Sequence, residues 1–158
     1  MTAGRPRRWV AAAAALLLAA CAGRGRPGAV ALPATADTGT VAISRPTLIG
    51  FFPPLTSARL SDSVFARTLS AFQAGLAHLR PAFEHAGVAV YEQYTDTVVV
   101  SEPERGLQNY VPPAGGVGYY LAAPGRDPDI LQGLRGEAEI QEAVWRYFHE
   151  HGVRRASR

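Results

Sequence analysis

Lysine is missing from this sequence altogether; all sixteen of its basic residues are arginine. Cysteine occurs once, as Cys21, and methionine once, at the start. A lone cysteine excludes an internal disulfide, a Cys-x-x-Cys redox pair and a cysteine-based zinc cage. Charge is sparse: 18% of the 158 residues are charged and 47% are hydrophobic. That composition fits neither a disordered polyelectrolyte nor a bundle of membrane spans, and the length suits about one domain. Several catalytic signatures are missing as well. There is no Gly-x-Ser-x-Gly elbow, no phosphate-cradling Gly-rich loop and no His-Glu-x-x-His. Gly115-Gly116-x-Gly118 precedes a predicted strand, so it lacks the helix N-terminus that phosphate binding requires.

The formal net charge of +3 belongs to the ends of the chain. Arg5, Arg7, Arg8, Arg24, Arg26, Arg154, Arg155 and Arg158 all lie outside Val41–Gly152. Within that segment eight arginines face twelve acids, a net of −4. A surface that grips phosphates is not implied, and no nucleic-acid partner is expected. The absence of lysine reads as the mark of a GC-rich genome, not of a binding site.

What the sequence does contain is a strong amino-terminal signal. Arg5, Arg7 and Arg8 precede an unbroken apolar run, Trp9–Ala20. The run has the length of a signal-peptide core and is too short to cross a bilayer of roughly 30 Å as a helix. It ends in Leu18-Ala19-Ala20-Cys21, small residues followed by the only cysteine. This stretch resembles the lipobox of bacterial lipoproteins. The resemblance implies cleavage between Ala20 and Cys21, a diacylglycerol on the Cys21 thiol and an acyl chain on its new amino group. No other cofactor is expected. Two or three acyl chains hold a protein on a membrane where one holds only marginally. In Gram-negative lipoproteins an aspartate after the cysteine commonly retains the protein in the inner membrane. Ala22 stands there, which implies the outer membrane, facing the periplasm. Residues 22–40 are rich in Gly, Ala, Pro and Thr without periodicity. They read as a flexible tether with a root-mean-square reach of roughly 25 Å. The expected organisation is therefore signal peptide 1–20, anchored linker 21–40, domain 41–152 and tail 153–158.

Within the domain, Thr47–Phe52 is a short apolar run closed by Pro53-Pro54 and reads as a buried strand. Ser61 or Ser63 is placed to cap a helix, with Asp62 in its first turn. Phe65, Leu69, Phe72, Leu76, Leu79 and Phe83 then step by four and three along one helical face. The stripe passes Pro81, which predicts a kink and not a stop; Gly87 is the expected cap. Val88–Tyr94 reads as a second strand, parallel to the first with a right-handed crossover because a helix joins them. Thr97–Ser101 and Leu107–Val111 form a predicted hairpin around a five-residue loop, 102–106, and Val117–Ala123 and Pro128–Gln132 a second around 124–127. A last helix is predicted from Glu137 to about His151, burying Ile140, Val144, Tyr147 and Phe148.

The order β-α-β, hairpin, β-β-α resembles the thioredoxin fold. Thr47–Phe52 is similar to its central first strand and Gly116–Glu150 to its terminal β-β-α unit, with Gly133 before the last helix. The expected class is α/β, a thioredoxin-like sandwich with an extra β-hairpin. The departures are large. Pro53-Pro54-Leu55-Thr56-Ser57 stands where the family carries its thiols, and the loop holding Pro112 and Pro113 has Ala114-Gly115-Gly116 before the next strand. Thiol–disulfide exchange needs a thiolate, so this domain has none of that chemistry.

The remaining candidates are scattered. His78 and His85 share a helix face but lie about 10 Å apart along it, too far for one metal. His149 and His151 sit at a helix end, and Asp127 and Asp129 in a turn around Pro128, which turn chemistry alone explains. Tyr91, Tyr94, Tyr119 and Tyr120 fall in the predicted sheet and form the expected binding surface for an envelope protein or a glycan. Alternation sends Tyr119 and Tyr120 to opposite faces, with one of them partly exposed. The resulting expectation is a lipid-anchored, non-catalytic binding or scaffolding domain of the cell envelope. One alternative is an extracytoplasmic hydrolase using Asp127 or Glu92 with a nearby histidine. It requires a pocket that joins a histidine to a carboxylate within hydrogen-bond reach. The other alternative is a subunit of an envelope assembly.

Overall fold

A computed structural model describes residues 39–155. The expected signal peptide, the lipobox-like stretch with Ala20 and Cys21, and nearly all of the expected tether lie outside the described residues. The elements are β1 (Val41–Ala42), β2 (Thr47–Phe52), α1 (Ser57–Leu60), α2 (Ser63–His85), β3 (Ala89–Tyr94), β4 (Val98–Glu102), β5 (Gly106–Tyr110), β6 (Gly118–Ala122), β7 (Asp129–Gln132) and α3 (Glu137–Glu150).

Two mixed sheets form. The larger has the order β3-β2-β6-β7 and the smaller the order β1-β4-β5. β2 runs parallel to β3, in register from Thr47 opposite Ala89 to Phe52 opposite Tyr94, and antiparallel to β6, with Gly50 opposite Tyr119. β7 closes the sheet antiparallel to β6. All six residues of β2 are buried, because this strand is covered on both faces. Ile49 and Phe51 point to the smaller sheet and pack with Val41, Ile43, Val98, Val100, Tyr120 and Ala122. The alternate residues point to the helices, where Phe52 meets Phe65 and Phe72, and Phe72 meets Tyr119. Gly50 lies directly under α2. A Cβ built there would sit 2.9 Å from Leu76 Cδ2 and 3.0 Å from Phe72 Cζ, so its missing side chain is what admits the helix.

α2 runs through Pro81 without ending and buries Leu69, Phe72, Leu76, Leu79 and Phe83. Its amino terminus is capped by Asp62 and not by either serine. Asp62 Oδ1 accepts from the amides of Val64 at 2.7 Å and Phe65 at 3.1 Å. Those two bonds favour the ionised form and hold the carboxyl below its ordinary range. At the other end Gly87, at φ +84°, reverses the chain in the left-handed region. Its amide donates to the Glu84 carbonyl and that of Val88 to the Phe83 carbonyl, the paired bonds of a Schellman motif. α3 closes the same way through Gly152. It packs beside α2, with Phe83 against Trp145 at 4.6 Å.

Two features depart from expectation: the length of one loop and two short elements. The β4–β5 loop is three residues, because Glu102 and Gly106 pair and only 103–105 are free. That extra hairpin joins β1 in a sheet of its own. β1 and α1 were not foreseen, since two and four residues are too short to show a period.

Candidate functional site

Four tyrosines were expected to present a binding surface, and the structure buries three of them. Tyr119 is 0% exposed, Tyr120 4% and Tyr94 7%; Tyr91 is half-buried. Tyr119 and Tyr120 do face opposite sides of the sheet, but each side carries a layer, so neither reaches solvent. The surface expected from sheet alternation assumed one open face, and the β1-β4-β5 sheet closes it. Tyr94 is held in a polar chain instead: its hydroxyl donates to Glu92 and accepts from Gln73 Nε2 at 2.8 Å. Burial and the neighbouring carboxylate raise its pKa well above the ordinary phenol range. Arg80 reaches the same edge, donating to the Val90 carbonyl at 2.7 Å and standing 4.0 Å from Glu92.

The acids proposed for hydrolysis are engaged elsewhere. Glu92 meets Tyr94 and Arg80, and Asp127 pairs with Arg105, which lowers the Asp127 pKa. Neither touches a histidine. His85 stays apart from His78, and His149 and His151 lie at the end of α3. The histidine that does meet a carboxylate is His78, whose Nε2 lies 3.1 Å from Glu137 Oε1 across the α2–α3 gap. The sequence carries no sign of this pair, which only helix packing brings together. Among the described residues no group of three or more His, Cys, Asp or Glu could hold a metal ion.

Two concave regions stand out. The first is a cleft at the carboxyl ends of β2 and β3, the end at which open α/β sheets commonly bind ligands. One hollow of about 340 Å³ is lined by Phe52, Pro53, Val64, Phe65 and Val117, among others. An adjoining one of about 250 Å³ includes Thr95, Asp96, Pro112 and Pro113, and shares Pro53, Arg59 and Gly115 with the first. β2 delivers Phe52 and Pro53, α1 delivers Arg59, the start of α2 delivers Val64 and Phe65, and the segment before β6 delivers the glycines and prolines. Two polar groups of the first hollow are engaged within the chain: Asp62 caps α2, and Arg59 donates to the Pro54 carbonyl at 3.2 Å. The first hollow is open mainly on its apolar side, with Val64 61% exposed, whereas the second also presents the exposed Asp96.

The second region is a groove of about 380 Å³ between α2 and the start of α3, lined by Ala71, Ala74, Gly75 and His78 on one side and Leu134, Arg135, Glu137 and Ile140 on the other, over Tyr119. The Tyr119 hydroxyl is buried without a hydrogen-bond partner among the described residues.

No protein-family model matches this sequence, and searches of curated proteins and of solved structures find no match.

Proposed function

We propose that this chain is a lipid-anchored envelope lipoprotein whose α/β domain is a cysteine-free, thioredoxin-like binding module. Anchoring rests on Leu18-Ala19-Ala20-Cys21 and the leader before it; Ala22 favours the outer membrane as its site. The fold reading is supported by the strand order β3-β2-β6-β7, with a parallel β-α-β unit at one side and an antiparallel β-β-α unit at the other. That is the strand arrangement of the thioredoxin core, with the β1-β4-β5 sheet on the face where that family carries a helix. The observation that carries the function is the cleft beyond β2. It lies where that family would carry its thiol motif, yet its first hollow is lined by Pro53, Phe52, Val64, Phe65 and Val117, with Arg59 and Asp62 engaged by the backbone. An apolar cleft of this kind holds a ligand without transforming it. A photoreactive side chain at position 64 of the anchored protein tests the reading. A discrete adduct there, absent when the probe stands at the equally exposed Leu107, is the expected result. Identical labelling from both positions, or none from either, contradicts it.

One observation favours a second reading, an extracytoplasmic hydrolase. The α2–α3 groove joins His78 to Glu137 within hydrogen-bond reach. Its lining holds no serine, threonine or cysteine, so water would have to be the nucleophile, activated by His78 with Glu137 orienting the ring. Ester hydrolysis by the wild type that is lost in His78→Ala would establish this reading; equal rates would dismiss it.

A further inference from the structure

The α2–α3 groove shares no lining residue with the cleft beyond β2, and its floor has a hydrogen-bonding requirement that the chain itself leaves unmet. We propose that this groove binds an uncharged small molecule bearing a hydroxyl or carbonyl oxygen, which takes the hydrogen bond offered by Tyr119. The proposal stands apart from the cleft, and it needs no chemistry from His78 and Glu137.

Tyr119 is 0% exposed, and its hydroxyl meets no donor or acceptor among the described residues. Buried hydroxyls are normally bonded, and leaving one unbonded carries a substantial desolvation penalty. Beside Tyr119, the α2 wall of the groove is made by Ala71, Ala74, Gly75 and His78. A Cβ added at Gly75 would meet nothing within 4 Å, so the glycine fronts open space and not a packed neighbour. In a helix interior a glycine weakens the helix relative to alanine, and no packing contact at this position explains it. The space has the volume expected of a small-molecule site.

The charge pattern selects the ligand class. Around the rim His78 is paired with Glu137, and Arg135 with Glu139. Arg135 is matched to a carboxylate and Glu137 is engaged by the His78 ring, so neither side chain stands unpartnered toward an ionic ligand. Leu134, Ile140 and the alanines line the rest. An ion moved onto that lining would lose hydration with nothing to replace it. An uncharged ring or chain covers the aliphatic wall, and one oxygen satisfies the phenol.

The test uses the full chain in detergent, with amide shifts of Ala74, Gly75 and Leu134 followed by NMR. Cyclohexanol, cyclohexanecarboxylate and cyclohexylamine serve as probes of matched size and different charge. Cyclohexanol is expected to shift these amides saturably, and the two ions to leave them unmoved. Tyr119→Phe, which retains the ring, is expected to weaken cyclohexanol binding roughly three- to tenfold, the equivalent of one neutral hydrogen bond. Gly75→Leu, which favours the helix and fills the space, is expected to abolish it. The proposal is overturned if cyclohexanol leaves the groove amides unmoved, if either ion binds as well as the alcohol, or if Tyr119→Phe binds with wild-type affinity.

Discussion

The carboxyl group of Glu102 faces the layer between the two sheets, on the same side of β4 as Val98 and Val100, and neither of its oxygens has a partner among the described residues. The residue is 3% exposed. A buried polar group without a bond costs about 1–3 kcal/mol, more when charged. Glu102→Leu is therefore expected to raise the free energy of unfolding in urea by about that amount; a loss of stability would mean that the carboxylate is bonded in the folded state. The tyrosines set a second dependence. Burial pushes both Tyr119 and Tyr147 up to about 12 from an ordinary value of 10. The folded state thus holds these protons more tightly than the unfolded chain does. Their contribution to stability is complete below pH 10 and is lost as the pH rises from 10 toward 12. Unfolding curves measured across that range should show a steep decline in the wild type and a shallower one in Tyr119→Phe. Parallel declines would contradict the assignment.

At the scale of elements, β2 and α2 form the centre of the domain, and Gly50 is where they meet. Gly50→Val adds atoms into the side chains of Phe72 and Leu76. Valine favours strands, but overpacking outweighs that preference, and a loss of about 1–3 kcal/mol is expected. An unchanged midpoint in urea would show that the helix yields freely. The elements that could be read beforehand were those with a long period or an uninterrupted apolar run. The Phe65–Phe83 stripe located α2, and Thr47–Phe52 located β2 to the residue, because Pro53-Pro54 closes a run that is buried on both faces. Asp62 was harder to read, since Ser61, Asp62 and Ser63 are all acceptable caps and only the backbone decides among them. β1 and α1 had no period to show. The tyrosine surface failed because alternation tells which side a residue faces, not whether that side is covered. The His78–Glu137 pair and the orphan hydroxyl of Tyr119 arise from how helices pack on the sheet, and no local pattern encodes them.

At the scale of the whole molecule, the domain and its amino-terminal segment answer different questions. The domain carries a cleft and a groove; the proposed address lies in the sequence before it. Cys21→Ser removes the thiol that would receive the lipid. The variant is expected to keep its leader and to accumulate as a precursor, whereas normal processing and release would remove the case for an anchor. The most direct measurement is the mass of the amino-terminal peptide of the mature protein. The account predicts a peptide that begins at Cys21 and carries the added mass of a diacylglycerol and an amide-linked acyl chain. A peptide beginning at any other residue, with an unmodified amino group and no lipid mass, would contradict it.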